Sequence, residues 1–240
     1  MDTLKSFSIH ELYFLSSAFD CQCIFGLPEL QNLKIVPDET WKTVRSSLIE
    51  KELLDSDGKL TKEGAIVISM LEEYSKSDSL TIMNNFLIAA CEDKDYSIVI
   101  SLNKEDKYFV FKIDFVMMLQ FFSEKIPSYA HRIPNEEEKT FLKKEVTLTD
   151  ELKEIFVSDS ALFVQHYPIK ELKADKNIKY DSWIFSIHDN KIFALDVHKE
   201  IAFLFSQYYF FERIYTWLNI PFKKEVSQGH ENSDSSQWHF

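Results

Sequence analysis

Three histidines, His166, His188 and His198, fall on or beside expected strands with Asp189 and Asp196 close by, and imidazole with carboxylate is a ligand set for a divalent metal. The spacing completes no such site. The chain has no HExxH, no His-x-His and no paired motif, and histidines on strands are commonly ordinary surface residues. Cys21-x-Cys23 is half of a zinc site without a second ligand pair, so both cysteines read as small apolar residues in a loop. Ser6, Ser8 and the serines near the C-terminus stand in no G-x-S-x-G context that would expose a nucleophile. The acidic runs Glu136-Glu137-Glu138 and Glu92 to Asp95 read as solvated turns. With only 4 Gly in the chain there is little room for a phosphate-cradling loop or for tight left-handed turns, which argues against nucleotide binding. These residues therefore assign no catalytic group, no cofactor and no metal ligand, and an enzyme is not expected.

Composition narrows the partners. The 240 residues are 45% hydrophobic, enough for one large domain or two small ones. A formal net charge of -12, from 39 acidic and 27 basic side chains, repels nucleic acid and anionic membrane surfaces, so partners are expected to be proteins. An odd set of 3 Cys, an N-terminus MDTLKSFSIHELYFL without signal-peptide character, and no run long enough to span a bilayer together predict reduced thiols, no membrane insertion and a cytoplasmic location.

The elements that would position any surface come next. Ser8 with Glu11 three residues on forms a capping box that starts a helix to about Phe19, and Phe7 can staple onto Leu12. LPEL at Leu27 to Leu30 can start a short helical turn in the following loop. Acids at Asp38 and Glu39 open a second helix carrying Trp41, Val44, Leu48 and Ile49, and Thr61 opens a third that runs to about Ser75 after a turn through Asp57-Gly58. Helix, helix and hairpin also fit a winged-helix DNA reader. Charge decides against it, because Asp38 to Lys76 holds six basic side chains against nine acidic ones.

Leu80 to Glu92, Tyr96 to Asn103 and Lys107 to Ile113 read as three antiparallel strands, and Asp114 to Lys125 as an aromatic-rich helix apolar on most sides. Asn135 to Glu145 reads as a charged, solvated connector, followed by a short helix capped by Thr149 through about Phe156. Strands follow near Ala161 to Pro168, Tyr180 to His188 and Lys191 to His198, then a long helix over Lys199 to Leu218. Lys223 to Phe240 is polar and is expected to be a disordered tail. Ser97 to Pro127 and Ser182 to Pro221 share one plan of strand, turn, strand and helix closed by Ile-Pro. Ser97, Ser101 and Leu102 align with Ser182, Ser186 and Ile187, and one turn residue fewer sets Phe109 over Phe193. The parts are then 1–78 (helical, winged-helix-like), 79–134 (first repeat), 135–159 (connector) and 160–222 (second repeat) of one α+β domain, with the tail at 223–240. Projected as one helix, Lys199 to Leu218 is apolar on two sides, with Phe203, Phe210, Ile214 and Trp217 aligned on one of them. That stripe is either buried on the N-terminal helices or exposed for a partner helix.

FSIHELYFLSSAFDCQCIFGLPEL, SLIEKELLDSDGKLTKEG and the twice-used strand-strand-helix plan together resemble the EspG-like secretion chaperones of type VII (ESX) systems, and more closely their EsaE-like relatives in Firmicutes. The resemblance reaches to about Pro221. Leu12, Leu15 and Gly26-Leu27-Pro28 match the family's leading helix and turn. Leu48 through Gly58 matches its L-x-x-x-G-L-x-D-x-D-G element, with Glu52 where a Gly is usual, which implies a helix end closed differently. The resemblance implies a pseudo-two-fold antiparallel β-sheet flanked by helical subdomains. It implies a cytoplasmic chaperone that holds a helical-hairpin (WXG/LXG-like) secretion substrate soluble for export. Its contacts would be the central turn, here Asn103, Lys104 and Glu105 up to Lys107, and the stripe Phe203, Phe210, Ile214 and Trp217; the turn reads equally as a plain hairpin. An immunity protein that neutralises a co-encoded type VII toxin is the alternative.

Overall fold

The computed structural model describes residues 5–19, 24–28, 37–91, 94–174 and 179–221. Cys21, Cys23, the second half of the Leu27 to Leu30 turn and the tail from Lys223 lie outside the described residues. Ten β-strands and eight α-helices are found among the described residues, and the chain divides into two compact units, Met1–Met118 with Gln165–Tyr180, and Leu119–Val164 with Asp181–Phe240. The fold is α+β, and every ladder with a defined register is antiparallel. Among the described residues no helix is long and apolar enough to cross a membrane.

In the first unit β1 (Ser6–Phe7) leads into α1 (Ile9–Ser16), whose Ser8 and Glu11 form the expected capping box. Glu11 is buried and does more than cap. Its carboxylate also accepts from Ser47 Oγ at 2.7 Å and Lys51 Nζ at 2.6 Å, which ties α1 to α2 (Asp38–Glu50). Thr61 caps α3 (Lys62–Ser75) as its sequence position predicts. At Gly64, in the first turn of α3, an added Cβ would sit 2.2 Å from the Leu53 carbonyl oxygen, so only glycine lets the two backbones approach. These helices cover one face of the strands β2 (Ser79–Met83), β3 (Phe86–Ala90), β4 (Tyr96–Leu102) and β5 (Tyr108–Asp114), in the order β1-β5-β4-β3-β2. Leu12, Leu15, Leu48, Leu71 and Tyr74 from the helices meet Leu80, Leu87, Ala89, Ile98, Ile100 and Val110, the alternate residues of the pleat, in one buried cluster.

The expected strand over Leu80 to Glu92 is two strands. Asn84, at φ +49°, reverses the chain, and Met83 pairs with Phe86. A short polar side chain makes that left-handed backbone tolerable, so scarce glycine does not forbid tight turns here as composition suggests. Among the described residues seven that are not glycine, Glu52, Asn84, Asp106, Asp189, Asn190, Glu200 and Asn219, take positive φ. Glu52 corrects the expectation of a differently closed helix end. The Leu53 N–H bonds the Leu48 carbonyl and the Glu52 N–H bonds that of Ile49, each at 2.9 Å, the closure a glycine at this position gives.

Strand β5 continues into α4 (Phe115–Lys125), and after α5 (Pro127–Ala130) the second unit builds the order β8-β9-β10-β6. Its strands are β6 (Lys143–Val146), β8 (Asp181–His188), β9 (Lys191–Asp196) and β10 (Ile201–Phe205). The helix α6 (Asp150–Phe156), capped by Thr149, places Leu152 and Phe156 against Ala202 on one face. The strand β7 (Leu162–Tyr167) gives residues to both units, and α7 (Ile169–Ala174) belongs to the first.

The repeat holds at the level of the hairpin. Ser101 pairs with Phe109 across β4 and β5, and Ser186 pairs with Phe193 across β8 and β9, so the aligned residues occupy the same ladder positions. It fails at the helix. Lys199 to Leu218 is no single helix: Glu200, at φ +56°, turns the chain, Ile201–Phe205 forms β10 against β9, and Ser206 then caps α8 (Gln207–Trp217) through the Tyr209 N–H. The second copy is therefore three strands and a helix. Two apolar faces appear in a helical projection because the residues come from two elements with different periods.

The connector is also corrected. Lys143–Val146 is a strand paired with β10, and Glu138, read as part of a solvated acidic run, has a side chain only 7% exposed. Its carboxylate takes a two-pronged bond from the buried Arg132 guanidinium and accepts from the N–H groups of Asn135 at 3.1 Å and Gln207 at 2.8 Å. Arg132 also donates to the Asn190 carbonyl at 2.7 Å. Burial alone would raise the Glu138 carboxyl pKa, but the hydrogen bonds from Arg132, Gln207 and Asn135 outweigh it and hold the group below the ordinary value of 4.5.

Two outcomes follow. Changing Glu52→Gly relieves a left-handed non-glycine position and raises stability by about 1 kcal/mol in urea titration, whereas an unchanged midpoint would show that residue 52 carries no strain. Because the folded pKa of Glu138 is depressed, its contribution is complete above pH 4.5 and is lost as pH falls through the lower folded value. Glu138→Gln costs about 3 kcal/mol or more near neutral pH by leaving Arg132 buried without its counter-charge, and the variant loses less stability than the parent on acidification below 4.5.

Candidate partner-binding surface

The turn after β4 is a five-residue loop closed by its own first side chain. Asn103 Oδ1 accepts from the Glu105 and Lys107 N–H groups, each at 2.9 Å, the Asn103 N–H bonds the Lys107 carbonyl, and Asp106 sits at φ +55°. Asp55 closes the loop to Lys59 in the same way, with Gly58 at φ +77° in the place of Asp106. There Arg45 lies over the backbone so closely that any Cβ on Gly58 would collide with its guanidinium. Asn103 is thus occupied in shaping the loop, and Lys104, Glu105, Asp106 and Lys107 are all exposed to solvent.

The four apolar residues of the expected stripe come together, but inside the second unit. Phe203 lies on β10, while Phe210, Ile214 and Trp217 share the buried side of α8. The Phe185 ring meets that of Phe210 edge to face at 5.1 Å, Phe210 stacks on Tyr129 at 5.0 Å, and Trp183 lies 6.0 Å from Phe203. These contacts are the packing of a core. The Trp217 Nε1–H donates to Asp181 at 3.0 Å, and Arg213 lies over the Trp217 ring. The stripe is not exposed, and its rings pack on Phe185, Trp183 and Tyr129 of their own unit and not on the N-terminal helices, so neither reading of it holds as expected.

Exposed apolar area is concentrated instead on α4. Asp114 starts this helix by accepting from the Met117 N–H at 2.8 Å. Met118 and Phe122, one turn apart, are buried, while Val116, Met117 and Leu119 are 77%, 54% and 42% exposed. Single exposed residues elsewhere, such as Ile133 and Val157, need no explanation, but three within four positions of one helix form a patch. The sequence signal is the all-round apolar character of Asp114 to Lys125. It marks the helix without telling which side stays uncovered.

The histidines do not converge. His166 Nδ1 is 3.0 Å from Thr81 Oγ1, and His188 faces Glu151 and Asp189 at 3.5 and 3.6 Å. Asp196 is engaged by the N–H groups of His198 and Lys199 and by the Lys199 ammonium. Among the described residues no three His, Cys, Asp or Glu side chains gather as a metal-binding group.

What the molecule defines is an antiparallel α+β protein that leaves three neighbouring apolar residues of one helix uncovered. The chain belongs to the family described as domain of unknown function (DUF5081), whose model matches residues 1–226. No curated protein matches it.

Truncating the aromatic centre separates core from surface. Phe210→Ala is expected to cost about 3–5 kcal/mol in chemical denaturation. A loss below about 1 kcal/mol would show that Phe210 is not packed as described.

Proposed function

We propose that this protein is a non-enzymatic, cytoplasmic adaptor of the EspG-like and EsaE-like kind, which covers the helical targeting region of a type VII secretion substrate and keeps it soluble for export. The observation that carries the reading is the face of α4, where Val116, Met117 and Leu119 are exposed together. A helical hairpin that must stay soluble before export has an apolar side that aggregates unless another apolar surface covers it. A helix face of this kind is a matching surface, because apolar residues one turn apart interleave with those of a partner helix. Lys104 and Glu105 on the rigid Asn103 loop are a second contact, taken from the family resemblance. The charge of -12 adds attraction toward a partner with a basic segment.

The test is co-expression with a helical-hairpin substrate tagged on its helical half, read by size-exclusion chromatography with light scattering. The helical half co-elutes with the parent chain, and Val116→Asp with Met117→Asp weakens the complex by at least about tenfold while circular dichroism shows an intact fold. A tight complex with the toxic half alone overturns the adaptor reading and leaves an immunity protein.

A further inference from the structure

The strand β6 closes one end of the second unit's strand order and, among the described residues, is hydrogen-bonded on one side only, to β10. The phase of that ladder is fixed by the Ser206 N–H, which donates to the Leu142 carbonyl at 2.9 Å. Antiparallel ladders alternate, so Lys144 and Val146 also turn their backbone groups toward β10, while Lys143 and Glu145 turn theirs outward. The edge therefore presents the N–H and C=O of two oppositely charged residues. Lys143, Lys144 and Glu145 are all exposed, and Leu142 beside them is 44% exposed.

Charged edge strands usually keep other strands away. This one is self-complementary. With two copies antiparallel about a two-fold axis through Lys144, Lys143 of each copy faces Glu145 of the other, and Leu142 faces Val146. The axis joins residues whose outward groups are in phase, since Lys143 and Glu145 are the two that point away from β10. Only the central Lys144 meets its own kind. Each copy thus gains two ion pairs shared with its neighbour, two apolar pairs and four backbone hydrogen bonds across the seam, against one like-charge pair between side chains long enough to diverge.

We infer that β6 is a self-association edge, through which two copies of this chain add strand to strand and join their sheets. The partner is a second copy because the charge order Lys-Lys-Glu between two apolar residues is matched by its own reverse. The contact is independent of the α4 surface and of any substrate.

The test is sedimentation equilibrium of the full chain over a wide concentration range. The average mass rises from 28.3 kDa toward twice that value as concentration increases. Lys143→Glu alone and Glu145→Lys alone each set like charges against each other twice across the axis and weaken the dimer by about tenfold or more. The double variant Lys143→Glu with Glu145→Lys restores opposite charges and recovers the dimer. Lys144→Thr removes the one unfavourable pair and tightens it. Near-ultraviolet circular dichroism confirms that each variant keeps the parental packing. A chain that stays monomeric at every concentration, a dimer indifferent to the single reversals, or a double variant that fails to recover overturns the inference.

Discussion

Everything in both units hangs from where the backbone is allowed to turn left-handed. A hairpin's register is set by its turn, and a slip of one residue would exchange the buried and solvent faces of a strand. Asn84, Asp106, Asp189 and Asn190 occupy those positions between consecutive strands. Short polar side chains tolerate this conformation, and in two of the loops a different residue, Asn103 or Asp55 at the head, closes the turn with its own side chain. A chain with so little glycine distributes modest strain over many turns and keeps each one stiff.

Local chemistry is readable where a signal and its consequence lie within one turn of chain. Ser8 with Glu11, Thr61 and Thr149 mark helix starts that the structure contains, and the alignment of Ser101 and Phe109 with Ser186 and Phe193 describes true cross-strand partners. The failures have a common cause. The run Ile201–Phe205 has no polar alternation because it is covered on both faces, by α6 and by the aromatic cluster that packs on α8, so periodicity does not tell strand from helix. Glu138 reads as solvated because the helix end it caps, at Gln207, lies 69 residues away, and nothing in the sequence shows that Arg132, six residues back, is buried beside it.

The candidate surface is legible by half. The exposed loop bearing Lys104 and Glu105 follows from polar residues between two apolar strands. The apolar helix α4 is visible too, but which of its sides remains open depends on how Met118 and Phe122 are packed, a tertiary fact. The aromatic-rich segment near the end of the chain stands out by composition, yet large rings are what an interior built around Phe185 consumes.

The Glu138 carboxylate carries a consequence for time as well as for stability. It bonds Gln207, 69 residues along the chain, and its partner Arg132 bonds Asn190, 58 residues away. Contacts over that separation cost loop-closure entropy before they return anything. An interaction absent while the barrier is crossed leaves the rate of folding alone and acts on the rate of escape from the native state. Where the knot of Arg132, Glu138 and the α8 N-terminus forms after the barrier, it acts as a brake on unfolding of the second unit.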